Sequence, residues 1–161
     1  MKVSDIMTQP PSTCRLETSL GVASRLLKET GCRALVVLGN SGSVVGILTD
    51  RELAIAIETT NRHPSDVSAH EAMTRDVYTC SPDEKLSRAL KRMAEAKVRQ
   101  LAVVASDGDL QGILSVDDII LWAVQHGDVT RKSLVRALRA VDQSISGEGV
   151  ARPSRQHALD A

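Results

Sequence analysis

Residues 46–52 read Gly-Ile-Leu-Thr-Asp-Arg-Glu, and residues 112–118 read Gly-Ile-Leu-Ser-Val-Asp-Asp. The two stretches belong to a longer internal repeat, in which residues 7–57 and 73–123 superimpose at a constant offset of 66 without a gap. Fourteen positions are identical in the two copies. Because one repeat unit cannot bury its apolar face alone, two copies predict a pseudo-twofold module with a cleft between the halves.

The composition narrows the class of protein. The chain has 161 residues, 42% of them apolar, which suffices for one domain with a sizeable core. Lysine plus arginine balance aspartate plus glutamate at 20 each, and the only aromatic residues are Tyr78 and Trp122. Without a strong net charge or aromatic platforms the molecule has little with which to bind nucleic acid, so we expect no nucleic-acid partner.

The sequence has no secretion signal and no run of 18 apolar residues, which predicts a cytoplasmic protein with no membrane segment. Its cysteines, Cys14, Cys32 and Cys80, include no Cys-x-x-Cys pair and fit reduced thiols. Cys14 and Cys80 occupy equivalent repeat positions, and we interpret them as buried spacers, with a redox or metal role as the alternative. The four histidines lack the spacing of a metal site, so no metal is expected.

Each copy predicts the same order of elements, which is strand, helix, strand, strand, helix, in an α/β fold. In the second copy, Ser81, Pro82 and Glu84 are typical of a helix start with a capping box, and the helix is expected to end near Ala96. In the first copy, Arg15 replaces the capping serine, which predicts a weaker start.

Two short apolar runs follow each of these helices and predict a hairpin of strands. The runs are 34–38, 44–48, 101–105 and 110–114. Turn residues that tolerate positive φ separate the members of each pair. Thr49 and Ser115 are good N-caps for the helix that follows each hairpin.

The same patterns divide the chain into five segments. They are a first repeat at 1–60, a linker at 61–68, a second repeat at 69–126, a C-terminal helix at 127–143 and a tail at 144–161. The tail has no periodicity, and we expect it to be disordered. A modest excess of basic residues over 130–157 is either a solvated face or a docking surface for nucleic acid or an acidic partner.

The end of each hairpin places a hydroxyl at a helix N-cap and a carboxylate three residues later. These pairs are Thr49 with Glu52 and Ser115 with Asp118. Free backbone N–H groups and the helix dipole favour a phosphate there, the hydroxyl can add a donor, and the carboxylate can accept from both hydroxyls of a ribose. The same residues form ordinary capping boxes at many helices, so the motif alone leaves both interpretations open.

Two further matched pairs accompany this motif. Gly46 and Gly112 would let a ligand approach the strand end without a Cβ in the way. Arg33 and Arg99 precede the first hairpin strand of each copy, and their guanidinium groups fit phosphate oxygens. An arginine at a strand start is usually exposed and uncommitted, but the occurrence of the whole pattern in both copies favours a ligand site.

Together, the repeated Met-Thr pairs, the aliphatic hairpins and the two Gly-Ile-Leu endings resemble paired cystathionine-β-synthase (CBS) domains, often called a Bateman module. The resemblance covers roughly residues 1–126. It implies two β-α-β-β-α repeats related by a pseudo-twofold axis, with clefts for an adenosine-containing ligand such as AMP, ADP, ATP or S-adenosylmethionine. It also implies a disc-shaped homodimer, and no separate cofactor is expected.

The family's site residues map onto positions of this chain. Ser115 and Asp118 match its phosphate and ribose positions, and Thr49 matches too. Glu52 stands where the family more often has aspartate, and we expect its extra methylene to move the carboxylate outward. The adenine-facing segment maps to Val77, Tyr78 and Thr79 in one copy and to Pro11, Ser12 and Thr13 in the other. Since Pro11 lacks an N–H, we expect one good site and one compromised site, the first copy's being the less certain.

Three functions are compatible with a chain of this kind. The favoured one is a regulatory sensor of an adenosine ligand, and the alternative is a dimerisation scaffold with vestigial sites and a partner-docking basic tail. An enzyme is disfavoured, because the repeat places no Ser-His-Asp, Cys-His or metal constellation. Since the chain shows no attached catalytic, transporter or nucleic-acid domain, we expect the regulated protein to be a separate, unidentified partner.

Overall fold

A computed structural model describes residues 1–126 and Arg139 of the chain. The described chain forms two halves, each with one three-stranded sheet and helices, which confirms the predicted α/β class. The C-terminal helix expected at 127–143 lies outside the described residues except for Arg139, and the tail at 144–161 lies outside them entirely.

Both halves have the predicted order of elements. The first contains β1 (Thr13–Arg15), α1 (Leu20–Thr30), β2 (Ala34–Leu38), β3 (Val44–Thr49) and α2 (Asp50–Thr60). Between the halves lie a 3-10 turn (Pro64–Asp66) and the short helix α3 (Ala69–Ala72). The second half contains β4 (Thr79–Cys80), α4 (Leu86–Ala96), β5 (Gln100–Val104), β6 (Leu110–Ser115) and α5 (Val116–His126). Both predicted hairpins are present, with ends shifted by one residue at most.

The two sheets share one topology. In each, the first strand pairs parallel to the second, and the second and third strands form the antiparallel hairpin. The second strands β2 and β5 are therefore central, and their consecutive apolar residues are buried, as expected for strands covered on both faces. Ala34, Val36, Ile47 and Ile113 form a small buried cluster that joins the halves.

The helix start predicted at Ser81 with a capping box at Glu84 is wrong, because α4 begins at Leu86. The carbonyl groups of this segment instead accept hydrogen bonds from the backbone N–H groups of Val3 and Ser4, at 2.9 Å each. The segment forms a turn that is held by these contacts with Val3 and Ser4, and the local pattern does not reveal such a long-range pairing. Its end does agree with prediction, since α4 ends at Ala96.

The start of the first-copy helix also differs from expectation. Arg15 belongs to β1, and α1 begins at Leu20, after Ser19. The Ser19 hydroxyl accepts a hydrogen bond from the Val22 N–H at 3.3 Å. The helix therefore has an ordinary serine cap, four residues beyond the position considered.

The segment that opens each copy packs on the other half. Val3 is fully buried in the core of the second half, and Val67 is 1% exposed in the core of the first half. The Leu86 N–H donates to the Met1 carbonyl at 3.2 Å, and the Leu20 N–H donates to the Val67 carbonyl at 2.9 Å. Each core is thus completed by the segment that precedes the other copy.

A second exchange follows immediately in each copy. The backbone groups of Thr8 and Ile113 form a reciprocal pair of hydrogen bonds, of 2.9 and 3.1 Å, and those of Thr74 and Ile47 form an equivalent pair, of 3.0 and 2.9 Å. The repeated Met-Thr pairs therefore hold the two halves together. They also lie beside the helix mouths, where the candidate site was predicted.

The predicted role of two cysteines is confirmed. Cys14 and Cys80 are buried, and burial raises the pKa of each thiol to about 11. They remain neutral small apolar groups in the two cores, whereas Cys32 is half-buried. Within residues 1–126 no group of three or more metal-ligating side chains comes together. None of the described helices combines the length and apolarity that crossing a membrane requires.

Candidate functional site

Two clefts open beside the N-termini of α5 and α2. The cleft beside α5, called here the Asp118 cleft, has a volume of about 400 Å³. It is lined by Thr8, Pro10, Ser12, Thr30, Gly31, Cys32, Arg33, Ala34, Gln100, Ile113, Ser115, Asp117 and Asp118. The cleft beside α2, the Glu52 cleft, has a volume of about 330 Å³. It is lined by Ile47, Thr49, Arg51, Glu52, Thr74, Asp76, Tyr78, Lys97, Val98, Arg99 and Gln100.

Each cleft combines residues of both copies. Asp118 of the second copy lies with Ser12 and Arg33 of the first, and Glu52 of the first lies with Tyr78 and Arg99 of the second. The sequence predicted a cleft between the halves, and both of these clefts lie between them. The cause is the exchange of opening segments. The residues that lead into the first strand of one copy pair with the hairpin of the other copy.

The Asp118 carboxylate is held by one capping box and one contact from the other copy. Its Oδ2 accepts from the Ser115 N–H at 2.8 Å and from the Ser115 hydroxyl at 2.6 Å. Its Oδ1 accepts from the Thr8 hydroxyl at 2.9 Å. A carboxylate has about four acceptor positions, so one position on Oδ1 is available to a hydroxyl group in the cleft.

Glu52 makes the same set of contacts. Its Oε2 accepts from the Thr49 N–H at 3.0 Å and from the Thr49 hydroxyl, and its Oε1 accepts from the Thr74 hydroxyl at 3.3 Å. The expectation that the extra methylene displaces this carboxylate is wrong, because the longer side chain folds back to the equivalent partners. The difference between glutamate and aspartate therefore does not explain a ranking of the two sites.

The helix mouth of α5 offers fewer phosphate donors than the sequence suggested. The Ser115 hydroxyl donates to Asp118 and accepts from the Asp118 N–H at 3.0 Å. The Val116 N–H donates to the Arg99 carbonyl at 3.0 Å. Because these donors already have acceptors, a phosphate in this cleft would depend mainly on nearby cationic side chains.

The matched arginines differ in their surroundings. Arg33 Nε lies 2.8 Å from Asp117 Oδ2, in an ion pair between side chains that are 70% and 44% exposed. Arg99 lines the Glu52 cleft together with Arg51. Both matched arginines also line a central cavity of about 240 Å³ between the clefts, with Thr49, Asp50, Arg51, Gln100 and Asp117. The central cavity therefore connects the cationic groups of the two clefts.

The predicted role of the glycines is wrong. A Cβ on Gly46 would lie 2.3 Å from Met73 Sδ, and a Cβ on Gly112 would lie 2.8 Å from the Thr8 carbonyl oxygen. The Met-Thr segment of the opposite copy already occupies the space above each glycine. Glycine is needed there for the contact between copies, and it leaves no room for a ligand.

The segments expected to face adenine contribute one side chain to each cleft. Ser12 lines the Asp118 cleft, and Tyr78, which is 40% exposed, lines the Glu52 cleft. The neighbouring residues serve the fold: Thr13 pairs with Val36 in the sheet, Val77 packs against the cluster that joins the halves, and the Thr79 carbonyl accepts from Arg92. Pro10, rather than Pro11, lines the Asp118 cleft.

The sequence analysis missed several polar lining residues, among them Thr8, Thr74, Arg51, Lys97 and Asp117. The identity of Thr8 and Thr74 in the repeat was a signal for the first two. The other three lie at positions where the copies differ, so the search for matched residues passed over them.

One protein family and several curated proteins are similar to this chain in sequence. The CBS domain family matches residues 3–59 and 66–125. An uncharacterized protein of Methanopyrus kandleri, MK0525, is 29% identical over 116 residues, which is 72% of this chain and 57% of that protein. A homoserine O-acetyltransferase of Methanococcoides burtonii is 32% identical over 73% of this chain and 23% of the enzyme. The chain thus spans only part of either relative.

Solved structures show the same fold. The CBS domain protein TA0289 of Thermoplasma acidophilum, of unknown function, superimposes with a TM-score of 0.73 at 23% identity, covering 87% of this chain and 75% of that one. The CBS domain pair of MJ0100, in complex with 5′-methylthioadenosine and S-adenosyl-L-methionine, gives 0.69 at 26% identity over 78% and 98%. CBSX2, in complex with AMP, gives 0.64 at 28% identity over 77% and 96%. The two family matches and the fold together establish that this chain belongs to the CBS domain family and forms a CBS domain pair, or Bateman module.

Proposed function

We propose that the two clefts bind adenosine-containing ligands and that a separate protein responds to their occupancy. The proposal depends on one observation: each helix-capping carboxylate, Asp118 or Glu52, keeps an acceptor position facing a cleft. A ribose hydroxyl is a donor suited to that position. The cleft volumes of about 400 and 330 Å³ fall in the range of small-molecule sites.

The relatives support this class of ligand. The CBS domain pair of MJ0100 was solved with two adenosine derivatives, and CBSX2 was solved with AMP. The chemical element common to these three ligands is adenosine, whereas the group at the ribose 5′ position differs. We therefore take adenosine as the shared determinant for this chain.

The proposed function is regulatory rather than catalytic. Because each cleft takes residues from both copies, a ligand would contact both halves and stabilise one arrangement of them. Such a ligand would regulate only if it binds two arrangements with different affinities. The hydroxyls of Ser115 and Thr49 donate hydrogen bonds to carboxylates that cap helices. Because these hydroxyls serve the helix caps, they favour a binding role over a catalytic one. The cytoplasmic location inferred from the sequence stays a prediction.

A thermal melt with AMP, ADP, ATP and S-adenosylmethionine tests the proposal, with GTP as the comparison nucleotide. A ligand at about a hundred times its dissociation constant should add about 2.7 kcal/mol to the free energy of unfolding. For a domain of this size the melting temperature should rise by roughly 5 to 10 °C. Absence of a rise with every adenosine ligand would contradict the proposal.

Asp118→Ala tests the ribose contact directly by titration calorimetry. Removing a hydrogen bond to a charged group should weaken binding in the Asp118 cleft by at least about tenfold, or roughly 1.5 kcal/mol. The variant also loses a helix cap, so each ligand-induced shift is compared with that variant's own ligand-free melt. Unchanged affinity would remove the ribose assignment.

Asp5→Ala provides a matched control. Asp5 also caps a turn, because its Oδ2 accepts from the Lys2 N–H at 2.7 Å, but it lies outside both clefts. Its removal should lower stability without changing ligand affinity. If both variants lose affinity equally, the effect of Asp118→Ala reflects general destabilisation.

We also propose that the module forms a homodimer through α2 and α5. Several large apolar side chains are exposed on these helices: Ile55, Ile57, Ile120, Leu121 and Val124. Clustered exposed apolar groups are typical of protein interfaces. Dimerisation is compatible with the sensor and also with the alternative scaffold function, in which the clefts stay empty. Ligand binding distinguishes the two.

A further inference from the structure

The two clefts are built from equivalent repeat positions but differ in charge. The charged groups that line the Asp118 cleft are Arg33, Asp117 and Asp118. Those that line the Glu52 cleft are Arg51, Glu52, Asp76, Lys97 and Arg99. One cation with two carboxylates leaves the first cleft with a formal charge of −1, and three cations with two carboxylates leave the second with +1.

The main reversal occurs at one pair of equivalent positions. Asp117 in the second copy corresponds to Arg51 in the first, and each is the second residue of its helix. Both side chains also line the central cavity between the clefts. A second difference adds to the first, because Lys97 corresponds to Gly31. The substitution of Asp76 for Pro10 works in the opposite direction and is included in the net charges above.

The matched arginines therefore share their clefts with different charged residues. In the Asp118 cleft, Arg33 is paired with Asp117, and the Asp118 carboxylate lies in the same cleft. In the Glu52 cleft, the residue beside Arg99 at the position equivalent to Asp117 is Arg51. A phosphate group would meet three cations and two carboxylates in the Glu52 cleft, and one cation and two carboxylates in the Asp118 cleft.

From this asymmetry we infer that the Glu52 cleft takes a phosphate-bearing adenosine ligand such as ATP. The Asp118 cleft takes an adenosine ligand whose 5′ group is neutral or cationic, such as the sulfonium of S-adenosylmethionine. The inference rests on the proposed function, in that both clefts must bind adenosine ligands. It adds a division of ligand classes between them, which is set by Asp117 and Arg51.

The expected preference follows from the charge difference. The interaction of two unit charges about 4 Å apart changes an affinity by about fivefold in water and by several hundredfold near a protein surface. Because the side chains involved are largely exposed, the lower part of this range applies. We therefore expect ATP to favour the Glu52 cleft over the Asp118 cleft by about tenfold, which is about 1.4 kcal/mol.

Two native side chains report on the clefts separately. Tyr78 is the only tyrosine of the chain and lines the Glu52 cleft, so 3-fluorotyrosine labelling gives one ¹⁹F resonance that reports on that cleft. Cys32 is half-buried and lines the Asp118 cleft, so its rate of modification by a thiol reagent reports on that cleft. Cys14 and Cys80 should react slowly, because burial raises the pKa of both thiols to about 11.

The experiment titrates the protein with ATP and, separately, with S-adenosylmethionine. ATP should shift the Tyr78 resonance at about one tenth of the concentration that protects Cys32. S-adenosylmethionine should protect Cys32 at the lower concentration. In the double exchange Arg51→Asp with Asp117→Arg, which leaves the total charge unchanged, both orders should reverse.

The outcomes separate this inference from the proposed function. If both ligands bind but affect the two probes at the same concentrations, the division of ligand classes is wrong while adenosine binding stands. The same conclusion follows if the double exchange retains its fold, as judged by its thermal melt, without changing the order. If neither probe responds to either ligand, the inference is wrong, and the melts with AMP and ADP then decide whether adenosine binding fails as well.

Discussion

Gly112→Ala should destabilise the contact between the two copies, and the structure indicates by how much. The added Cβ would lie 2.8 Å from the Thr8 carbonyl oxygen, whereas ordinary contact begins near 3.4 Å. Thr8 must therefore move by roughly 0.6 Å. That movement strains the reciprocal hydrogen bonds between Thr8 and Ile113, which measure 2.9 and 3.1 Å. Overpacking of this kind costs about 1 to 3 kcal/mol, partly offset by about 0.4 to 1 kcal/mol from the less flexible unfolded chain.

Gly46→Ala is the matched comparison, because it meets a side chain instead of backbone. Its Cβ would lie 2.3 Å from Met73 Sδ. Methionine is flexible and can adapt, so the cost of Gly46→Ala should be smaller than that of Gly112→Ala. Removal of the methionine distinguishes the two positions: Met73→Ala should abolish the cost of Gly46→Ala, whereas Met7→Ala should leave most of the cost of Gly112→Ala.

The assay is urea unfolding of the six variants and the wild type, arranged as two double-mutant cycles. Gly112→Ala alone should lower the free energy of unfolding by about 1 to 2 kcal/mol, the middle of the range that these two terms leave. The reasoning is refuted if Gly112→Ala is neutral, or if Met7→Ala restores the stability lost in Gly112→Ala. Either result would mean that the Thr8 backbone does not limit the space above Gly112.

Three further predictions concern other parts of the molecule. Lys97 has φ 56°, in the region that its equivalent Gly31 occupies with φ 65°. Lys97→Gly should leave stability unchanged or raise it by up to about 1 kcal/mol, and it should weaken ATP binding. Calorimetry that shows unchanged ATP affinity would exclude Lys97 from the phosphate site. Hydrogen bonds from the Ser68 N–H, then Arg62 and the Ser68 hydroxyl, lower the pKa of Glu71 from 4.5 to about 2. The stability that depends on this carboxylate should therefore be complete above pH 4.5 and disappear as the pH falls toward about 2. The difference in unfolding free energy between wild type and Glu71→Gln should shrink over the same range. A difference that does not change with pH would contradict the charge-based account. Leu121→Glu should place a charge on the exposed apolar face of α5 and convert a dimer to a monomer in sedimentation velocity, and a persisting dimer would place the interface elsewhere.

The elements of the fold were largely readable from local patterns. The hairpins were predicted to within one residue, because alternating turn and apolar residues specify strands over short distances. The start of α4 was not predicted correctly, because the Ser81–Glu84 pattern would suit a helix cap but forms a turn that is held by hydrogen bonds with Val3 and Ser4. Those partners lie far away in the chain, and their competition with the local preference becomes visible only when the halves have assembled.

The repeat in the sequence was sufficient to identify the family, the pseudo-twofold pair of units and the two capping carboxylates, since identical spacing in both copies records equivalent local structure. Which residues share a cleft was decided by the tertiary structure, because the opening segment of each copy crosses to the opposite half. The crossing brings Thr8 to Asp118, and it covers Gly112 with the Thr8 backbone. Hydrogen bonds and packing between segments about a hundred residues apart have no local signature, so periodicity and spacing could not reveal them.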